Sequence, residues 1–298
     1  MTGLALALLA LVAAASGLAA QGAPGAAAIP AVSPAAACSA TAPDADADGL
    51  ADGCELALAR TFAPLLVVRP GGCNWDESVR PARPGGGYLF AARPLTDGAV
   101  RIAYLPAYHR DCGWHGAKCW LPFVDCAPHA GDSEFIVEDV RPDSSLGRWV
   151  TEAVFLSAHC FGRHGEACRW YRGDELRGFE WDGGERAAPV IWVAEGRQAN
   201  YPDKGSCDRG IHHIDTCDHN ALRIIFPIET PAQNIGSASS PSHAGGCVEG
   251  RALWPSSRED PRRTECFWDP ANLFAGWQDD GPGVTPYRRY LTEIAGFE

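Results

Sequence analysis

The sequence predicts a mainly β protein: a β-sandwich, jelly-roll-like, with few short helices and stabilised by disulfides. Three observations predict it. Glycine and proline are frequent, 33 and 23 among 298 residues, and they punctuate the chain into short pieces. The pieces between them are rich in β-branched and aromatic residues, notably Val100–Tyr108, Glu134–Val140, Trp149–Ala158, Pro189–Ala194 and Leu222–Ile228. Twelve cysteines, an even number without a paired C-x-x-C zinc pattern, allow six disulfides.

The N-terminal part carries no charge before Asp44, and Leu4 to Ala15 is an apolar run of signal-peptide length. Residues 1–19 are therefore expected to be a signal peptide, with Gly17 and Ala19 as small residues before the cleavage point. Met1-Thr2-Gly3 lacks a positive charge, and an uncleaved membrane anchor is the alternative. Residues 20–43, rich in Ala, Pro, Gly and Ser, read as a disordered tether. A calcium-binding loop and helix over 44–63 and a sandwich over 64–298 complete the expected organisation. Helix is anticipated only at about Gly53–Ala63 and Tyr287–Ile294.

Cysteine use fits an exported protein, secreted or extracellular, because a cytosolic chain rarely keeps twelve. The short intervals 160/168, 207/217 and 247/266 suit local loop closures, whereas Cys112, Cys119 and Cys126 are ambiguous and connectivity stays open. Net charge is −12, with no block of Lys or Arg. That argues against nucleic acid as a partner and for cations as ligands. A monomer is expected.

The stretch "DADADGLADGCE" places Asp44, Asp46, Asp48, Asp52 and Glu55 at loop positions 1, 3, 5, 9 and 12, with Gly49 at position 6. Calcium needs six or more oxygens. Alternate Asp residues on a tight loop can supply them, Leu50 at position 7 giving its carbonyl and Glu55 binding from the following helix. The loop resembles the EF-hand-like loops of dockerins and thrombospondin type 3 repeats. Ala51 stands where an EF-hand has the branched apolar residue that pairs with a second hand, so a lone structural Ca2+ site is expected. The alternative is an acidic, solvated linker. Against it stands the sequel "CELALARTFAPLL", whose Leu56, Ala59, Ala63 and Leu66 suit a docked helix with Arg60 outside.

A second constellation lies in "PHAGDSEF". In an extended chain Asp132 and Glu134 share a face, and a turn at Ala130-Gly131 would bring His129 back to them. Two carboxylates and an imidazole suit a divalent cation with open water positions, or an acid–base pair. The ordered blocks "YHRDCG", "HAGDSE" and "LSAHC" resemble those of the necrosis- and ethylene-inducing-like proteins. With "VIWVAEGRQANYPDKGSCDRG" and "QNIGS" they are also similar to the wider vacuolar protein sorting 62-like group. The resemblance implies a second cation site, Ca2+ or Mg2+, at Asp111, His129, Asp132 and Glu134, and a cytolysin-like grip on a polar lipid or glycan head group at a membrane or cell-wall surface. Ser133, Cys160 and Gln198 depart from the family's Trp, Gly and His.

His159 is the candidate acid–base if the chain is an enzyme, a metal-dependent hydrolase of phosphoesters or glycosides. It has no G-x-S-x-G elbow, H-E-x-x-H helix or phosphate loop. The reading that leads is a binding protein using exposed aromatics such as Trp114, Trp120, Trp170 and Trp181. A calcium-stabilised structural protein is the third. In "GIHHIDTCDHN", His212, His213, Asp215, Asp218 and His219 read as a disulfide-closed surface loop, or else as a transition-metal site.

Overall fold

The structure, a computed structural model, describes residues 38, 42–70, 89–111, 129–145, 147–158, 160, 168–182, 188–213, 215–225, 233–234, 236 and 296–297. Helix α1 (Asp52–Thr61) leads into β1 (Leu65–Val68), β2 (Leu89–Pro94), β3 (Val100–Leu105), β4 (Ala107–Asp111), β5 (His129–Ser133), β6 (Ile136–Asp143), β7 (Arg148–Leu156) and β8 (Arg169–Arg172). A 3-10 helix (Gly173–Gly178), β9 (Glu180–Trp181), β10 (Pro189–Val193), β11 (Asn200–Tyr201), helix α2 (Lys204–His213), β12 (Leu222–Ile225) and β13 (Gln233–Asn234) follow.

The strands form two principal sheets. One runs β11-β10-β1-β12 with β9 also on β10; the other runs β13-β2-β3-β6-β7-β8, and β4 and β5 make a separate ribbon. Each principal sheet holds one parallel pair, β1 with β10 and β13 with β2. Their inner faces share one core: Leu66, Val68, Ile191 and Val193 meet Phe90, Val100, Ile102, Tyr104, Ile136, Val154 and Leu156. The expected sandwich is what the chain builds, since each sheet buries an apolar face against the other.

Helix α1 enters the same core. Its buried stripe is Cys54, Glu55, Leu58 and Ala59, continued by Phe62 and Ala63, with Leu56 at the margin and Arg60 half-buried. Leu56, Ala59, Ala63 and Leu66 pack on the core as expected, and Leu58, which the sequence did not single out, is fully buried beside them. Tyr104 Oη donates to the Ala59 carbonyl at 3.0 Å, pinning the helix to β3.

The outer face of the larger sheet is covered too. Ala91, Ala103, Val137, Ala153 and Phe155 are buried there. Arg101 binds Asp139 through two hydrogen bonds, 2.6 and 2.8 Å, and donates to the Gly296 carbonyl, beside a fully buried Phe297. Trp170, expected to be an exposed aromatic, lies half-buried between Arg101 and Arg172, whose guanidinium carbons stand 4.6 and 5.0 Å from its ring centre. Trp181 packs on the core and donates to the Leu176 carbonyl. Trp114 and Trp120 lie outside the described residues.

Helix α2 was not anticipated from sequence. Its start is capped by Asp203, which accepts from the Ser206 amide at 2.9 Å and from the Ser206 hydroxyl. The "GIHHIDTCDHN" run begins as the end of this helix and returns through exposed Asp218 and His219, and the Cys207–Cys217 disulfide closes it as expected, fully buried. Cys160–Cys168 closes as expected, and Cys38–Cys54 adds a bridge that the spacing did not suggest. The pair 247/266, the trio 112/119/126 and the helix expected at Tyr287–Ile294 lie outside the described residues. Disulfides persist in oxidising compartments, and no helix among the described residues is long and apolar enough to cross a membrane.

Two predictions follow from the packing. A Cβ at Gly210 of α2 would stand 2.3 Å from Tyr201 Oη, and Tyr201 is buried with its hydroxyl donating to Asp215. Alanine is favoured over glycine in a helix by about 1 kcal/mol, but overpacking costs about 1–3 kcal/mol and the Tyr201–Asp215 bond is lost besides. Gly210→Ala should therefore lower the denaturation midpoint. Glu138 shares the inner face with its neighbours Ile102 and Val154 and is fully buried. Its Oε2 accepts from Thr151 at 3.3 Å and Oε1 has no hydrogen-bond partner. Burial pushes its carboxyl well above the usual range. The folded state thus keeps a proton that the unfolded state sheds, so this group's contribution is intact below about pH 4.5 and declines as pH rises toward the folded value. Glu138→Gln should melt above the native protein at pH 8, with the gap closing as pH falls to 4.

Candidate metal centre

The loop from Asp44 to Ala51 turns on itself through its own carboxylates. Asp44 Oδ2 accepts from the Gly49 amide at 3.0 Å, Asp48 Oδ1 from the Leu50 amide at 2.8 Å, and Asp52 Oδ1 from the Ala45 amide at 2.8 Å. Gly49 takes φ 97°, the left-handed value that position 6 needs. Ala47 also takes a left-handed φ of 56°, a conformation that costs an alanine roughly 1–2 kcal/mol and that the carboxylate hydrogen bonds on either side hold in place. The Asp52 amide donates to the Pro43 carbonyl at 2.9 Å, so the chain crosses back over the helix start. The Cys38–Cys54 disulfide closes the same segment, a constraint on the unfolded chain worth about 3 kcal/mol for a loop of this size.

The result is a convergence of acids. Asp44, Asp46 and Asp48 each present an oxygen within 4.8 Å of the others, as do Asp46, Asp52 and Glu55. Calcium–oxygen distances of about 2.3–2.6 Å put two ligands of one ion no more than about 5 Å apart, so each triplet is close enough to share an ion, and Asp46 is common to both. Asp46 is 3% exposed and Glu55 fully buried. Asp44 Oδ1, Asp48 Oδ2 and Glu55 Oε1 are buried with no hydrogen-bond partner. Buried carboxylate oxygens left this way are costly unless a cation meets them. Leu50 occupies the seventh position between them.

The electrostatics agree. Burial, then Asp46 and Asp48, push the Glu55 carboxyl up to about 9, against the lowering effect of a hydrogen bond from Asn234. Burial, followed by Asp46 and Asp44, pushes Asp48 up to about 6, while the Leu50 amide and Arg93 hold it down. Repelling, desolvated acids of this kind are what a divalent cation neutralises. All six positions expected for calcium, Asp44, Asp46, Asp48, Leu50, Asp52 and Glu55, thus lie together in one loop and the helix turn that follows it.

The second set is distributed differently. Strands β4 and β5 pair antiparallel with Asp111 opposite His129 and Tyr108 opposite Asp132, and the ladder bulges at Arg110. The side chains of Asp111, His129 and Asp132 lie outside the described residues, as does His159. Glu134 does not continue the strand of Asp132: β5 ends at Ser133, and Glu134 and Phe135 cross to β6 in another sheet. The face on which Asp132 stands relative to Glu134 lies outside the described residues. Strand β7 ends at Leu156, within the expected piece Trp149–Ala158. The buried Ser157 hydroxyl donates to Glu134 and accepts from the Phe135 amide at 2.7 Å. The Asn200 amide donates to the Ser157 carbonyl at 3.0 Å. Glu134, Ser157 and Asn200, from three separate sequence blocks, meet at one end of the sandwich.

In the histidine run the described partners disperse: Asp215 serves Tyr201, Asp218 pairs with Lys204 at 2.6 Å, and exposed His219 lies 3.1 Å from Glu195. The described residues place no metal-ligating group of three there. Sequence reasoning missed Asn234, whose link to Glu55 spans 179 positions and leaves no local signal.

Scans of the chain against protein-family models, curated proteins and solved structures find no match.

Because Glu55 and Asp48 hold protons that an ion must displace, calcium affinity should rise with pH between about 6 and 9, roughly tenfold per unit where one proton is released. The sign for stability is the converse. Without the ion both groups contribute fully only below their ordinary values, 4.5 and 3.8, and lose that contribution as pH rises to about 9 and about 6. The calcium-induced rise in melting temperature should thus be larger at pH 8 than at pH 5.5. Equal shifts at the two values would place the ion elsewhere.

Proposed function

We propose that the chain is an exported, calcium-stabilised β-sandwich binding protein. Ca2+ in the 44–55 loop fastens the N-terminal segment to the domain. A second cation, Ca2+ or Mg2+, on the β4–β5 ribbon bridges a polar lipid or glycan head group. The observation that carries the reading is the buried acid cluster: Asp46 of the loop and Glu55 of helix α1 are buried, with carboxylate oxygens of Asp44, Asp48 and Glu55 left without hydrogen-bond partners. Calcium suits it because the donors are all oxygens, and calcium accepts six to eight of them in irregular geometry whereas magnesium demands a regular octahedron.

The second-cation part is supported by the register that sets Asp111 opposite His129 and by the anchoring of Glu134 through Ser157. Recognition is preferred to hydrolysis because the sequence supplies no distinct nucleophile or base beside that set. The three disulfides among the described residues support export.

Metal analysis of the purified protein is expected to show calcium, with a further equivalent of divalent cation lost from Asp132→Ala and Glu134→Ala. Calcium-dependent leakage of liposomes carrying glycosylated sphingolipids, abolished by Asp132→Ala, would support head-group recognition. Turnover of phosphoester or glycoside substrates that vanishes with the same substitution would overturn it in favour of a hydrolase. Saturating the loop at about 100 times Kd should add about 2.7 kcal/mol.

A further inference from the structure

Glu55 is the loop's last acid and the one carried by the helix. Its Oε1 has no hydrogen-bond partner, whereas Oε2 accepts from Asn234 Nδ2 at 3.0 Å. Asn234 is itself fixed. Its Oδ1 accepts from the Gly236 amide at 2.9 Å, and its backbone pairs in β13 with Phe90 of β2 at the edge of the larger sheet. With its oxygen engaged, the side chain can present only its NH2 to the carboxylate.

The kind of donor matters. A lysine or arginine at this place would neutralise Glu55 and compete with a cation, and a buried pair of that sort would need no ion. A neutral amide satisfies one oxygen and leaves the negative charge for the metal. Anchoring one oxygen also fixes the rotamer of the carboxylate that shares a triplet with Asp46 and Asp52.

We propose that Asn234 is a positioning residue of the calcium centre, and that through it the ion clamps edge strand β13 as well as the loop and helix α1. The inference rests on the calcium reading above. It adds that one ion joins three parts of the chain: the loop, the helix and a strand far along the sequence.

Calcium titration of the full chain by calorimetry tests it. Removing a partner that orients a metal ligand typically weakens binding about 10–100-fold, and that rise in Kd is expected for Asn234→Ala. Asn234→Asp, which keeps the shape but sets a like charge beside Glu55, should weaken binding at least as much. A purely structural asparagine would lower stability with and without calcium alike and leave Kd unchanged, which would overturn the proposal. Should the variants not fold, hydrogen exchange on the native protein decides: calcium should slow exchange of the 233–236 amides, and no change there would overturn it equally. Native protein that takes up no calcium refutes the calcium reading itself, an outcome distinct from native protein that binds while Asn234→Ala binds as tightly.

Discussion

Five acids gathered at the start of one helix set the terms for this structure. Helix α1 lies in the shared core between the sheets, where Leu58, Ala59 and Phe62 replace what would otherwise be void. The same helix carries Asp52 and Glu55 toward that interior, and the loop before it brings three aspartates alongside. Apolar burial holds the helix in place at about 25 cal/mol per Å², while like charges a few ångströms apart oppose the closing of its first turn. The disulfide at Cys54, the Pro43 carbonyl on the Asp52 amide and the Asn234 amide on Glu55 all act at this one junction. They resolve its geometry, and the proposed cation would resolve its charge.

The rest of the sandwich shows the same economy of placement. Asn220 sends its amide to the Val67 and Val193 carbonyls, joining β1 and β10 beyond their ladder. Ser157 joins the start of β6 to the end of β7 and, through Asn200, to the other sheet. Polar residues at strand ends therefore connect elements that the core alone would leave free to slide. Glu138 is the exception, an acid in the middle of the core with one oxygen unmet. Its retention costs stability at neutral pH, and nothing in the described surroundings explains why it is an acid.

Much of this was legible in the sequence where the information is local. Alternating acids with a glycine at the sixth place specify a loop whatever follows, and Pro189 to Val193 is too short and too β-branched to be anything but a strand. Cysteines 8 and 10 residues apart close on themselves. What escaped depends on contacts between distant segments. Helix α2 has glycine at 205 and 210 and polar residues between, a poor helix by propensity, yet packing of Gly210 on Tyr201 and the disulfide below it override that preference. The shared face expected for Asp132 and Glu134 lies outside what is described, since β5 ends at Ser133 and the Asp132 side chain is not among the described residues. Asn234 reads as an ordinary loop residue until β13 pairs with β2.

The Cys38–Cys54 bridge has a mechanical meaning. It joins the chain just before the acidic loop directly to the buried first turn of helix α1. Tension on the residues that precede Cys38 travels through the sulfur bridge into a helix wedged between two sheets, and bypasses the segment from Ala42 to Gly53. The acidic loop is thereby shielded from load: a pull on the chain before Cys38 would not open it, and the spacing of its carboxylates is set by solution conditions rather than by force.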